Sequence, residues 1–287
     1  MIQPNSSRNR EVDGRRPTKS CRQLRSVGFT LTELLVVIVI VAVLGALVFA
    51  LARKGLEAAA KAEEVNAAKN LLATYQTATQ ANGRFLPGYD RSVGEVELPN
   101  GKVVGGPIAQ RYPFRLAAAA SQAVEDIALH GENERYVQPG QDYLMSLHPT
   151  FGINRYFVGG DIQTDGSISY RADCATHMGM VSSAIIVFAS AAMSRDNGDV
   201  VEGFNHLTPP NLTGPMWSAS DWSSDAKPED YGHVHARHNG KAVVGFLDGS
   251  VKLLDIETLR DMRLWNVKAK RENKPDYTVP RTGGGRL

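Results

Sequence analysis

Cysteine is nearly absent from this sequence, which contains only Cys21 and Cys174. Two cysteines cannot build the disulfide framework that holds small secreted domains together. The chain must therefore be stabilised by an ordinary hydrophobic core. Its 287 residues are enough for one or two domains with such a core.

Recognisable catalytic motifs are also missing. The sequence has no G-x-S-x-G elbow, no Walker phosphate-binding loop, no G-x-G-x-x-G and no H-E-x-x-H. Cys174 and His177 lie close in sequence, but a buried cysteine explains this pair better than a nucleophile with its base. We therefore expect a protein that is not an enzyme.

Strong charge of one sign is lacking as well, because the net charge is only +2. This balance does not favour binding to nucleic acid. The charge is unevenly distributed, however. Residues 1–28 carry a net +5, whereas the rest of the chain carries a net −3. The basic segment also lacks hydrophobic periodicity, and we interpret it as a targeting leader.

Charged residues are absent from one long apolar run, residues 34–52, and a single carboxylate, Glu33, stands at its start. Nineteen residues in a helix span roughly 30 Å, which is the thickness of a bilayer core. The run is too long for the core of a secretory signal peptide and lacks a clear A-x-A cleavage site. An ordinary membrane anchor would fit the run but would not require Gly28 or Glu33.

The residues at this boundary, Gly-Phe-Thr-Leu-Thr-Glu at positions 28–33, resemble the processing site of type IV prepilins and type II secretion pseudopilins. The resemblance implies that a prepilin peptidase cleaves between Gly28 and Phe29 and that Phe29 becomes the methylated N-terminus. It implies that Glu33 guides assembly with other pilin or pseudopilin subunits. Cleavage would remove Cys21 and leave Cys174 without an intramolecular partner.

The basic leader and the resemblance together imply a single-pass protein of the inner membrane. The leader would be cytoplasmic and the head periplasmic or extracellular. We expect a pilin-like α+β fold with a leader over 1–28, a long helix over 29–81 that is transmembrane over 29–52, a head over 82–267 and a flexible tail over 268–287. Helix-forming residues with one apolar face continue past the membrane, and Asn82-Gly83 predicts the end of the helix. A break or kink at Gly45 or Gly55 is the alternative.

Within the head, Pro99-Asn100-Gly101 predicts a hairpin turn, residues 108–130 predict one helix, and residues 184–189 predict a buried central strand. Residues 196–232 predict a long surface loop pinned by tryptophans. Residues 234–237, 242–247 and 251–254 predict a three-stranded antiparallel meander, and 256–264 predict a short helix.

His238, Asp248 and Gly249 form a second pattern, in which nine residues separate the histidine from Asp-Gly. It is similar to the H-X9-DG motif near the C-terminus of many prepilin-like proteins of planctomycete and verrucomicrobial type. We interpret the motif as structural. Asp248-Gly249 would make the second turn of the meander, and His238 would close it through a bond to Asp248 or to the backbone.

A metal ion is the other interpretation of these residues. His233, His235 and His238 could bind zinc together with Asp230 or Asp248, because alternate residues of a strand point to the same face. A calcium site would draw on acidic residues of the neighbouring loop, namely Asp221, Asp225, Glu229 and Asp230. A structural role is favoured over both ions, and we expect no cofactor.

The function that the sequence predicts is a structural subunit that is cleaved, methylated and assembled into a type IV pilus or a type II secretion pseudopilus. Its expected partners are the prepilin peptidase, other subunits and the lipid of the inner membrane. The main alternative is a membrane-anchored extracytoplasmic binding module that does not assemble. A membrane-anchored enzyme is a further alternative, which the missing catalytic motifs disfavour.

Overall fold

A computed structural model describes residues 29–180, 184–219, 221–223 and 225–280. The leader therefore lies outside the described residues. The chain divides after Ala52 into two units, and the second begins at Arg53. The α-helices are α1 (Leu31–Asn82), α2 (Gly106–Gln110), α3 (Tyr112–Ala120), α4 (Val124–Ala128), α5 (Asp142–Leu147), α6 (Ile256–Leu259) and α7 (Val267–Arg271).

Short strands supply the sheets of the second unit. They are β1 (Tyr89–Asp90), β2 (Glu95–Glu97), β3 (Val103–Gly105), β4 (Phe151–Ile153), β5 (Asp161–Ile162), β6 (Ile186–Ser190), β7 (Ala192–Ser194), β8 (Val200–Glu202), β9 (Lys241–Phe246) and β10 (Val251–Asp255). Short 3₁₀ helices cover Gly131–Tyr136, Arg171–Asp173, Met178–Met180, Pro228–Tyr231 and Met262–Leu264. Helices and mostly antiparallel sheets thus make an α+β protein, as expected; the exception is the short parallel pair of β1 and β5.

Helix α1 matches its predicted bounds within two residues and runs without interruption through Gly45 and Gly55. It ends where predicted, because Gly83 adopts a positive φ of 67° that side-chain-bearing residues avoid. Its last turns bury one face, made of residues three to four apart: Glu64, Ala67, Ala68, Leu71, Leu72, Thr74, Tyr75, Ala78 and Thr79. This spacing places the buried residues on one side of the helix.

A four-stranded antiparallel sheet in the order β10-β9-β6-β4 forms the centre of the second unit. All five residues of β6 are buried, which confirms the predicted central strand. Glycine at 245 in β9 lets α1 approach closely, since a Cβ atom there would lie 2.7 Å from Leu72 Cδ1. Tyr75 packs edge-on against Phe188 of β6 at 5.3 Å between ring centroids.

The sheet separates two apolar clusters. One holds the buried face of α1 together with α3, α4 and Phe188. The other holds Trp217, Tyr231 and Trp265 with the residues around α6 and α7. Both faces of β6 and β9 are therefore covered, which explains why their sequences are almost continuously apolar.

Both predicted tight turns beside β9 are present. Asn239 and Gly240 have φ values of 53° and 77°, and His238 and Lys241 exchange backbone hydrogen bonds across them, as in a type I′ turn. Gly249, at φ 83°, closes the β9–β10 hairpin. The β2–β3 hairpin around Pro99-Asn100-Gly101 is also confirmed.

Three sequence predictions are wrong in detail. Residues 234–237 do not form the first strand of a meander, because β6 occupies that edge of β9 and only Val234 bridges to Ala191. Residues 108–130 form three short helices, since Arg111 is extended before Pro113 and Ser121 is left-handed at φ 53°. The helix predicted over 256–264 divides into α6 and the 3₁₀ turn Met262–Leu264.

The prediction of a flexible tail from residue 268 is also wrong as far as residue 280, because this segment is packed on the head. Asn266 caps α7 by accepting hydrogen bonds from the Lys268 and Ala269 amides, at 2.8 and 3.0 Å. Tyr277 is buried and donates to Asp173 Oδ1 at 2.7 Å. Residues 281–287 lie outside the described residues. Two aromatic anchors of the predicted 196–232 loop behave as expected, with Trp217 buried and Trp222 half-buried, although that segment also contains β8.

Candidate functional site

The first unit presents Glu33 in a local hydrogen-bonded arrangement at the start of α1. Thr30 donates from its amide and its Oγ1 to Glu33 Oε2, at 2.9 and 2.8 Å. The Glu33 amide donates back to Thr30 Oγ1 at 3.2 Å. This reciprocal pair is a capping box, which satisfies amides that have no partner inside the helix. Phe29 is exposed, and Gly28 lies outside the described residues.

The apolar residues that follow Glu33 are exposed along the whole of this part of α1. Their most apolar window of eighteen residues has a mean hydropathy of 3.4, and none of it is buried. By length and composition this helix could span a membrane. An apolar surface of this extent is unfavourable in water, so it requires lipid or protein around it.

The second unit contains a buried carboxylate, Glu64, that accepts hydrogen bonds from three side chains. Arg237 binds it with two nitrogens: Nε lies 2.8 Å from Oε2, and Nη2 lies 2.9 Å from Oε1. His238 Nε2 lies 2.7 Å from Oε2, and Ser190 Oγ donates to Oε1 at 2.5 Å. Because an ionised carboxylate only accepts hydrogen bonds, Nε2 of His238 carries the proton. We call Glu64, Ser190, Arg237 and His238 the Glu64 cluster.

The electrostatic environment of the Glu64 cluster stabilises the charged forms of Glu64 and Arg237. Burial by itself would raise the pKa of Glu64, but the Arg237 charge and the hydrogen bonds from His238, Arg237 and Ser190 outweigh it and hold that pKa far below its usual range. Burial would lower the pKa of Arg237, and Glu64 outweighs this effect as well. Arg237 Nη1 also lies 3.2 Å from Glu202 Oε2. The cluster is therefore a fully paired ionic network that joins α1 to β6 and to the turn before β9.

The residues of the predicted H-X9-DG motif separate into two roles. His238 closes the type I′ turn through its backbone, while its side chain binds Glu64 and does not bind Asp248. Asp248 accepts from the Ser250 amide and hydroxyl, at 2.9 and 2.6 Å. Gly249 supplies the positive φ that the hairpin needs. The structural interpretation in which His238 closes the turn through the backbone agrees with this geometry, whereas the predicted side-chain bond from His238 to Asp248 is wrong.

The residues proposed as zinc ligands occupy different surroundings. His233 packs on Phe204 with ring centroids 4.1 Å apart, and His235 packs on Trp222 at 5.9 Å. His238 binds Glu64, and Asp230 accepts a hydrogen bond from Ser218. Within the described part of the chain, no three histidine, cysteine or acidic side chains are placed to hold a metal ion.

The acidic residues considered for calcium are partly engaged with protein groups. Glu229 accepts hydrogen bonds from the amide and the hydroxyl of Ser194, both at 2.8 Å. The Asp221 carbonyl accepts from Tyr231 Oη at 2.5 Å. These bonds tie the loop to β7 and to Tyr231, which gives two of the candidate residues a structural role.

Sequence reasoning missed Glu64, Arg237 and Ser190 as a unit. Glu64 lies 173 residues from Arg237 in the chain, so no local pattern joins them. A charged residue in the apolar stripe of a helix was the available signal, because such a residue requires a partner. The Thr30-x-x-Glu33 capping box was directly readable in the sequence.

Comparison with known proteins adds no relative. No protein-family model, no curated protein and no solved structure matches this chain. A functional assignment therefore depends on the residues at positions 28–33, on the apolar helix and on the geometry of the second unit.

Proposed function

We propose that this chain is a prepilin-like structural subunit, which is cleaved after Gly28, methylated on Phe29 and assembled into a type IV pilus or a type II secretion pseudopilus. The observation that carries the proposal is the arrangement at the N-terminus. A six-residue processing-site pattern lies between a basic leader and an uncharged run of nineteen residues. An ordinary anchor needs the apolar run but not the pattern.

The exposed apolar part of α1 supports a role in assembly. In the membrane this surface contacts lipid, and in a fibre it packs against the same helix of other subunits. The transfer exchanges one apolar environment for another, so it depends on packing and on polar pairing rather than on the hydrophobic effect alone. Glu33 is the single carboxylate in a position to direct that pairing.

In this proposal Glu33 has two roles that are physically separable. It caps α1 through Thr30, and it carries the negative charge that pairs with the N-terminal amine of Phe29 on a neighbouring subunit. A charge at low dielectric is unfavourable unless it is paired, so this pairing would set the axial register of the fibre. Capping requires hydrogen-bonding geometry, whereas register requires charge.

Three substitutions distinguish these roles in cells that assemble the protein. Glu33→Gln keeps a capping-box residue but removes the charge. Thr30→Ala removes the capping hydroxyl but keeps the charge, and Glu33→Ala removes both. We expect all three to insert in the membrane and to be cleaved, and we expect only Thr30→Ala to enter sheared fibres at a substantial level. Normal incorporation of Glu33→Gln would contradict the register role.

Processing is tested separately by intact-mass spectrometry and N-terminal peptide mapping of the membrane-extracted protein. We expect a chain that begins at Phe29 and carries one added methyl group. A chain that retains residues 1–28 would contradict the proposal and would favour the membrane-anchored binding module. The same measurement on Gly28→Ala, compared with the matched head substitution Gly94→Ala, tests whether cleavage depends on Gly28.

A further inference from the structure

Two methionines and a histidine are exposed together in one short turn of the second unit. Met178 and Met180 are 46% and 41% exposed, and His177 beside them is also exposed. Methionine is usually buried in folded proteins, because its side chain is apolar. Two exposed thioethers next to an exposed imidazole therefore need an explanation beyond packing.

The backbone of this turn brings His177 and Met180 to the same side. Residues 178–180 form a 3₁₀ helix, and the Met180 amide donates to the His177 carbonyl at 3.1 Å. In 3₁₀ geometry, side chains three residues apart eclipse one another. Gly179 adds no side chain between them, and a Cβ atom at this position would lie 3.3 Å from the His177 ring.

One hydroxyl group contacts both potential ligand atoms. Thr176 Oγ1 lies 3.2 Å from His177 Nδ1 and 3.5 Å from Met180 Sδ. The imidazole nitrogen and the thioether sulfur therefore both contact one hydroxyl group at the protein surface. Thioethers are soft donors that select Cu(I), and imidazole also suits copper. Neither donor has to lose a proton from its usual neutral form to bind.

We propose that His177, Met178 and Met180 form a surface site for a soft monovalent metal ion, Cu(I). Met180 Sδ and His177 Nδ1 supply two ligands by turning from the Thr176 hydroxyl to the metal. The Met178 side chain is long and unbranched, so it can supply a second sulfur. The donor set is neutral and contains no carboxylate, so it discriminates against calcium and magnesium, which require oxygen ligands.

The nearby thiol does not compete for the ion in the folded protein. Cys174 is buried, and burial together with the neighbouring Asp173 raises the pKa of its thiol to about 12. Because the thiolate is the form that binds metals, a thiol with so high a pKa is a poor ligand at neutral pH. Cys21, in the leader, is removed as a competitor by the substitution Cys21→Ser in every variant.

The test is a Cu(I) titration of the full-length chain in detergent, under anaerobic reducing conditions, against a chromogenic Cu(I) chelator. We expect the Cys21→Ser protein to bind one Cu(I) per chain. The double variant Met178→Leu/Met180→Leu should bind at least tenfold more weakly, because leucine keeps the volume but lacks the sulfur. Met216→Leu is the matched control, since Met216 is 45% exposed elsewhere in the head, and it should leave the affinity unchanged.

X-ray absorption at the copper edge supplies an independent readout. We expect sulfur and nitrogen neighbours around the metal in the parent protein and the loss of sulfur in the double variant. Equal Cu(I) affinity in the parent and the double variant, or a first shell without sulfur, would overturn the proposal. Thermal unfolding of the metal-free proteins controls for folding, and we expect the methionine variants to share the midpoint of the Cys21→Ser protein because Met178, Met180 and Met216 are exposed.

Discussion

The most informative single substitution is at Glu64, because its carboxylate accepts hydrogen bonds from Arg237, His238 and Ser190 inside the second unit. Glu64→Ala removes the acceptor and leaves a buried guanidinium whose remaining ionic partner, among the residues that the structure describes, is Glu202. Breaking a buried ion pair by removing one partner costs about 3–5 kcal/mol. We expect Glu64→Ala to lower the free energy of unfolding by this amount.

Glu64→Gln isolates the contribution of charge. The amide keeps the volume and one acceptor oxygen, but it places NH₂ donors against donor groups of Arg237 or His238. Losing a hydrogen bond to a charged group costs about 1.5–3 kcal/mol. Glu64→Gln should therefore be intermediate. Glu63→Gln is the matched control, because Glu63 is exposed on the same helix, and its effect should stay within about 0.5 kcal/mol.

The assay is denaturant unfolding of the full-length chain in detergent, followed by tryptophan fluorescence. Trp217, Trp222 and Trp265 all lie in the second unit, so the signal reports on the part that contains the Glu64 cluster. The reasoning fails if Glu64→Ala and Glu63→Gln unfold at the same denaturant concentration. It also fails if Glu64→Gln is as stable as the parent protein.

Three further predictions concern stability and use the same unfolding assay. Acid should destabilise the fold. In the folded protein the pKa of Glu64 lies below its ordinary value of 4.5, so the ionised carboxylate contributes stability that is present above pH 4.5 and is lost as the pH falls towards the folded-state pKa. The Glu64→Gln variant should lose less stability below pH 4.5, and an equal loss in both proteins would contradict this. Gly245→Ala should cost about 1–3 kcal/mol, because its Cβ would lie 2.7 Å from Leu72 Cδ1 in a packed interface; Gly94→Ala, which has open space, is its control. Gly249→Ala should cost about 1–2 kcal/mol, because alanine is strained at φ 83°; a cost no larger than that of Gly94→Ala, which has open space and no positive φ, would show that the turn tolerates a side chain.

Local signals predicted the elements that local interactions determine. The bounds of α1 follow from its helix-forming composition and the Asn82-Gly83 stop, and β6 follows from its continuous apolar run. The hairpin turns follow from the need for positive φ at Asn239, Gly240 and Gly249. In each case the responsible residues lie within the element or directly beside it.

Where the sequence predictions were wrong, contacts with residues distant in the chain determine the local structure. Residues 234–237 have a strand-like pattern, but β9 pairs with β6 and leaves them no edge for a ladder. The charged composition after residue 268 suggested a mobile tail, yet Ala269 and Tyr277 supply buried surface at wide spacing. Such spacing has no helical or strand period, and so periodicity could not reveal it.

The same limit applies to the candidate sites. Glu33 and its neighbours were identified as candidates because the pattern is contiguous, whereas the capping box of Thr30 and Glu33 was not predicted although it lies within four residues. His238 was found by its motif, but its partner is on a helix far away in sequence. Its role could not be inferred without the fold, because the spacing to Asp248 suggested the wrong partner.

The pairing of Glu64 with Arg237 also has a consequence for the order of folding. Glu64 lies early in the chain, and two of the three side chains that bind it belong to a segment that is synthesised 173 or more residues later. A buried carboxylate without those partners would be strongly unfavourable. We therefore expect the buried face of α1 to stay undocked until the β9 hairpin has formed. During synthesis, we then expect the head to remain without this helix until the segment that carries Arg237, His238 and β9 has been made.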